Sequence, residues 1–86
     1  MKLTVKVINV LPTVTGTKQN GETWYKNEFV GGYLNGDYVK HIAFTIWKDQ
    51  TMPAVGDTVD VSFDVESKES NGRWFTECRA WKIEKV

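Results

Sequence analysis

Apolar and polar residues alternate along most of this chain. The clearest run is Val59, Val61, Phe63 and Val65, interleaved with Thr58, Asp60, Ser62, Asp64 and Glu66. A period of two gives one apolar and one solvated face, the signature of a half-buried strand. Gly56-Asp57 opens this strand as a turn, and the polar run Ser67 to Gly72 reads as the loop that closes it. The chain then re-enters through Arg73 to Ile83, where aromatics and cations alternate on a further strand. Near the N-terminus Leu3, Val5 and Val7 alternate before Ile8 and Val10 take over the apolar positions. A phase change of one residue predicts a β-bulge within a strand over Leu3 to Leu11, which Pro12 ends. Thr13 to Thr23 is polar, contains Asn20-Gly21 and reads as a loop. Trp24 to Leu34 is the second strand, and Gly31-Gly32 inside it predicts a sharp bend. Asn35-Gly36 is a hairpin signal. It leads to a third strand over Tyr38 to Trp47, with Ile42, Phe44 and Ile46 on one face and His41, Ala43, Thr45 and Trp47 on the other. Lys48 to Val55, with Pro53, is too short for a substantial helix.

Five strands with a bulged first one predict an all-β chain, either a small sandwich or a small closed barrel with little or no helix. A sandwich of this size leaves many open edges and a barrel removes them, which favours the barrel. At 86 residues, positions 1–86 form a single domain. The lone Cys78 forms no internal disulfide and, with a single histidine, gives no metal-ligand spacing. No apolar run approaches the ~18 residues of a membrane span, and nothing resembles a signal peptide. The expected location is therefore the cytoplasm. No nucleophile–base pair, phosphate-cradling glycine loop or paired acid–base carboxylates can be assembled, so no enzyme, cofactor or metal is expected.

Net charge is zero, which by itself argues against a strong nucleic-acid binder. The charges are nevertheless segregated. Residues 1–48 carry six lysines against three acids, residues 49–70 one lysine against six acids, and residues 71–86 four cations against two acids. If the acidic strand lies away from the basic segments, one face is locally positive. Aromatic faces stack nucleobases and flanking cations hold phosphates, so the aromatic–cation alternation of the last strand suggests single-stranded nucleic acid. The competing reading is ordinary core aromatics at a strand end.

The segments together resemble an OB-fold of the bacterial single-stranded-DNA-binding-protein type, over nearly the whole chain. Val5 to Leu11 resembles the curved first strand. His41 to Lys48 resembles a third strand ending in an outward aromatic and a cation. Val55 to Val61 resembles the glycine turn into strand four, and Asn71 to Glu77 the entry to strand five. Trp24 to Val30, Phe63 to Ser67 and Gly72-Arg73-Trp74 are also similar to a family of short OB-fold proteins of bacteria and their phages. The resemblance implies a five-stranded OB-fold Greek-key barrel. It departs from the family where Asp49 to Val55 leaves no room for the helix between strands three and four, and where Glu84-Lys85-Val86 follows strand five with no acidic tail.

By analogy, the nucleic-acid face lies over strands two and three. Trp47 is its central candidate, falling opposite Ile42, Phe44 and Ile46; the alternative is a tryptophan that covers one end of the barrel. Trp24 with Lys26 at period two is a second aromatic–cation pair. His41 shares the Trp47 face and suits a base or a phosphate. Lys18, Lys40, Lys48, Arg73 and Arg79 are the phosphate candidates, with a merely solvated charge as the alternative for each lysine. On strand five, Trp74, Thr76, Cys78 and Ala80 are expected to face inward and Phe75 and Arg79 outward; a bulge near Ala80 would reverse Trp81. The implied function is non-sequence-specific single-stranded DNA binding in replication, recombination or repair, with RNA left open because no pattern here reads a 2′-hydroxyl. The alternative is an OB-fold protein-interaction module, a replication accessory or phage structural component. A homo-oligomer, dimer or tetramer, is expected, with Tyr25, Tyr33, Tyr38 and Trp81 as spare aromatics for its interface.

Overall fold

The computed structural model describes residues 1–47 and 52–86. Six strands follow in chain order: β1 (Lys2–Val10), β2 (Val14–Thr17), β3 (Thr23–Asn35), β4 (Tyr38–Ile46), β5 (Thr58–Ser70) and β6 (Arg73–Lys85). They lie in the order β1-β5-β6-β4-β3-β2, and β1 also pairs with β3, which closes the sheet on itself. All pairings are antiparallel except β4 with β6, which run parallel. With β2 set aside, this is the five-stranded Greek-key order of an OB-fold.

The inward positions meet in one core of Val5, Val7, Phe29, Phe44, Ile46, Val59, Val61, Phe63 and Ala80. Phe44 sits at its centre, 5.2 Å from the Phe29 ring and 5.0 Å, edge-on, from Phe63. β1 joins the two halves because it bulges. Its register against β3 shifts between Val7 and Asn9, as the phase change predicts, and Ile8 is turned out to solvent. Gly31 is required by close approach: a Cβ there would lie 2.5 Å from Val5 Cγ2.

The structure corrects the strand count and two of the expected loops. Val14–Thr17, expected as loop, is β2, and it pairs with β3 so that Gly16 faces Trp24. Apolar periodicity could not reveal it, because β2 covers no core. Ser67 to Ser70, also expected as loop, continues β5, and the turn shrinks to Asn71-Gly72. Both residues have positive φ, 53° and 78°, the requirement of a two-residue type I′ hairpin. Cross-strand pairs replace burial there, among them a Ser67–Thr76 hydroxyl hydrogen bond of 3.0 Å.

The β5–β6 hairpin therefore runs on past the core for roughly 20 Å, six residues at strand rise. It makes the molecule elongated, with a radius of gyration of 14.1 Å and extents of 46 × 31 × 20 Å, against ~12 Å for a compact chain of this length. This arm explains the failed inward assignment of Trp74 and Thr76. Both continue the inward face of β6, but beyond the core there is no inside, and Trp74 is 68% exposed. Cys78 and Ala80 do lie against or within the core. Ser62 pairs with Lys82 and Phe63 with Ala80, which leaves Trp81 as the bulged residue, 56% exposed.

Candidate functional site

β4 and β6 meet at a single register position, Thr45 opposite Arg79. Towards the start of each strand the two diverge, and a cleft of about 540 Å³ opens between them. β4 contributes His41, Ile42 and Ala43 to its walls, and β6 contributes Phe75 to Arg79. Lys26 and Glu28 of β3 and Glu66 and Lys68 of β5 complete it. Beyond Arg79 and Lys68, which line both, a second concavity of about 610 Å³ continues past Lys18, Trp24, Tyr25 and Trp47. Together they make one groove across β3, β4, β5 and β6.

The Trp47 end of the groove is tightly organised. Trp47 directly follows β4 and is 38% exposed. Its ring centre lies 6.0 Å from that of Trp24, at 54°, with Lys26 Nζ at 5.7 Å and the Arg79 guanidinium at 5.9 Å. These are cation–π distances. Trp47 Nε1–H donates to Glu77 Oε1 at 2.6 Å, and Arg79 Nε–H donates to the same oxygen at 3.1 Å. Arg79 Nη2 also lies 3.7 Å from Glu66 Oε2, and Lys26 lies 3.6 Å from Glu28. Glu66 and Glu77 stand directly opposite each other across the β5–β6 ladder. Like charges so placed repel, and Arg79, in reach of both, is what holds them together.

Burial by itself would raise the pKa of Glu77. The hydrogen bonds from Trp47 and Arg79 and the charges of Arg79 and Lys26 outweigh it and hold the carboxyl below its ordinary value. The neighbouring Cys78 thiol is pushed up, by burial first and the Glu77 charge second, which makes it a poor nucleophile near neutrality. Among the described residues no three His, Cys, Asp or Glu side chains gather as metal ligands.

The opposite end has a different character. His41 borders it and Phe75 is 58% exposed there, while Lys68, which lines both concavities, has no ion-pair partner among the described residues. One end of the groove thus offers aromatic rings among paired cations and the other an exposed ring beside an imidazole, with Lys68 where the two meet.

Seven of the ten sequence candidates converge on this groove: Lys18, Trp24, Lys26, His41, Trp47, Phe75 and Arg79. Lys40 is exposed on β4 and Arg73 is exposed beside the hairpin turn, and neither lines the groove. Lys48 lies outside the described residues. Three charged contributors on which the groove's electrostatics turn escaped the sequence reading, the first being Glu66, expected only as part of a solvated face. Lys68 falls in the polar run expected as a loop but lies on β5, in period two with Asp64 and Glu66. Glu77 keeps period two with Phe75 and Arg79, a spacing that places it on their face.

Charge segregation along the chain does not survive folding. The acidic β5 lies between β1 and β6, so two of its acids meet cations: Lys2 reaches Asp60 at 3.9 Å and Arg79 reaches Glu66, while Thr4 hydrogen-bonds the same Asp60. At the turn before β5, Asp57 meets Lys85 at 3.7 Å. The separation of acidic and basic segments expected from sequence is replaced by a ladder of exposed pairs, each contributing little to stability.

The family model for a domain of unknown function, DUF3127, matches residues 2–84. The chain belongs to the DUF3127 family. No curated protein matches the sequence. Among solved structures, this DUF3127 chain is similar to a small single-stranded DNA-binding protein from Streptomyces coelicolor, at 20% identity and a TM-score of 0.49. That match covers 100% of this chain and 94% of the other. Likeness of that degree says nothing about the ligand of the DUF3127 groove, which rests on its own geometry. No helix among the described residues is long and apolar enough to cross a membrane.

Proposed function

We propose that this DUF3127 domain binds single-stranded DNA with little sequence preference, as a binding module and not as an enzyme. The carrying observation is the continuous groove in which Trp24, Trp47 and Phe75 alternate with Lys18, Lys26, Lys68 and Arg79. Every base has a π-face, so rings spaced along a groove accept any sequence, at about 1–3 kcal/mol per stacked base. Phosphates go to the cations without carboxylate partners. Because Lys18, Lys26 and Arg79 are already paired, few counterions are released, and the slope of log affinity against log salt is roughly −2 for three phosphate contacts, at Lys68, Lys40 and Arg73. The test is a fluorescence titration with oligo-dT at low and high salt, with oligo-U as competitor to separate DNA from RNA. Quenching that salt weakens supports the reading. No response to any single strand at low salt refutes it.

The reading extends to a homo-oligomer that handles the single strands of replication, recombination or repair. Tyr38 and Trp81 are exposed and available to a partner copy, whereas Tyr33 packs against the core and Tyr25 lines the groove. Light scattering at micromolar concentration decides: a one-chain mass unchanged by oligo-dT rules the oligomer out.

A specific observation favours a second reading, protein interaction. Before Thr45 and Arg79 the facing edges of β4 and β6 are not paired to each other, and unpaired edges accept an added strand. A protein that ignores every oligonucleotide but gains protection from amide exchange along β4 and β6 in the presence of a partner would be this module.

A further inference from the structure

The groove's own carboxylates occupy the positions that its ligand needs. Arg79, the cation shared by both halves of the groove, is flanked by Glu66 and Glu77 and surrenders its charge to them. Those three side chains sum to one negative charge, although the guanidinium is the best phosphate fork available. Glu77 does a second thing. One of its oxygens accepts both the Trp47 indole hydrogen and the Arg79 Nε hydrogen, so a ring from the end of β4 and a cation from β6 are tied to one atom. An acid at this point is costly, since it faces Glu66 across the ladder. A neutral hydrogen-bond acceptor would hold the indole without that repulsion.

We infer that Glu77 is the positioning and affinity-limiting residue of the groove: it fixes Trp47 in its stacking orientation and, with Glu66, withholds Arg79 from the phosphate backbone. The inference rests on the nucleic-acid reading above for its second half only; the first half concerns the free protein. The consequence is a module tuned for weak, rapidly exchanging contact, in which a strand competes with built-in carboxylates for each phosphate position. The two acids have separable roles. Glu66 touches Arg79 and not Trp47, whereas Glu77 touches both.

Four variants test this: Glu77→Gln, Glu77→Ala, Glu66→Gln, and Glu84→Gln as a control of equal charge change, Glu84 being paired with Lys82 away from the groove. The Trp47 indole N–H resonance and its solvent exchange are read by NMR in the free protein. Glu77→Gln and Glu66→Gln keep the resonance dispersed and protected, while Glu77→Ala shifts it and speeds its exchange. An indole unaffected by Glu77→Ala overturns the positioning role. Oligo-dT affinity is read by anisotropy across salt. Glu66→Gln and Glu77→Gln each bind several-fold tighter, and the double variant steepens the salt slope by about 0.7, one further phosphate contact. Affinity unchanged or weakened in both, or raised equally by Glu84→Gln, overturns the withholding role. Should no form bind oligo-dT, the nucleic-acid reading falls together with the withholding role, and the indole resonance still decides the positioning role.

Discussion

Replacing Trp47 by alanine separates a stacking ring from a barrel cover, because the two roles predict different ratios of stability loss to affinity loss. The indole is 38% exposed and packs on Trp24. A tryptophan buries at most about 250 Å², so roughly 150 Å² is at stake, worth ~4 kcal/mol at about 25 cal/mol per Å². Allowing for the compactness of unfolded chains lowers this to about 2–3 kcal/mol. The fully buried Phe44 should cost ~3–5 kcal/mol on truncation. At about 4–8 °C per kcal/mol for a domain of this size, Trp47→Ala melts roughly 10–20 °C below the parent and Phe44→Ala lower still. Binding is measured by anisotropy of labelled oligo-dT well below both transitions, since the tryptophan signal itself changes. Loss of one stacking contact weakens binding by about 1–3 kcal/mol, a factor of roughly 5 to 150. A melting point as low as that of Phe44→Ala, combined with unchanged affinity of the folded protein, would refute the stacking role and leave Trp47 as a cover.

Other perturbations follow from single contacts. Gly31→Ala sets a Cβ against the Val5 side chain, and overpacking of that kind costs about 1–3 kcal/mol; calorimetry should show it with β1–β3 amides exchanging first. Gly16→Ala meets the Trp24 indole; that ring can swing away, so the variant should lose oligo-dT affinity with a smaller change in melting point than Gly31→Ala. Glu77 titrates below its ordinary value of 4.5 in the folded chain. The stability it contributes is therefore complete above that value and is lost as pH falls through the lower folded pKa. Acid melts of Glu77→Gln should decline less over that window than those of the parent, and equal declines would refute the linkage.

Much of this architecture was legible in the apolar period. Val59, Val61 and Phe63, and Ile42, Phe44 and Ile46, fell on their inward faces because a buried face imposes alternation, whereas Thr45 and Ser62, expected on the outward faces, are buried as well. The bulge at Ile8 was visible as a slip of that same period. β2 and the outer half of the β5–β6 hairpin were not legible, because neither borders the core and cross-strand polar pairs leave no apolar trace. The Asn71-Gly72 dipeptide did carry the signal, since both positive φ values belong to a two-residue hairpin turn; length assigned to the polar run obscured it. Site residues were recoverable where aromatic and cation shared a strand, as at Trp24 and Lys26. Glu77 was missed because its importance lies in what β4 brings to it from thirty residues away.

The zero net charge finds its meaning at this site. A chain with equal numbers of acids and cations could still hold one strongly positive face if folding kept the two apart, but placing β5 between β1 and β6 interleaves them instead. Among the described residues, the groove lysine left without a carboxylate partner is Lys68, where the two concavities meet, with His41 at one end and exposed Lys40 and Arg73 beyond the groove. Electrostatic steering is correspondingly weak, and the free energy of binding has to come from the rings. Rings act best when they are presented in a fixed orientation, since a freely rotating indole gives up about 0.5–1.5 kcal/mol on ordering, a large part of what stacking contributes. The acid that weakens the groove's attraction for phosphate is the same acid that fixes Trp47. Orientation and charge are therefore coupled through one carboxylate, and a change that strengthens one side of the contact by removing Glu77 altogether loosens the other.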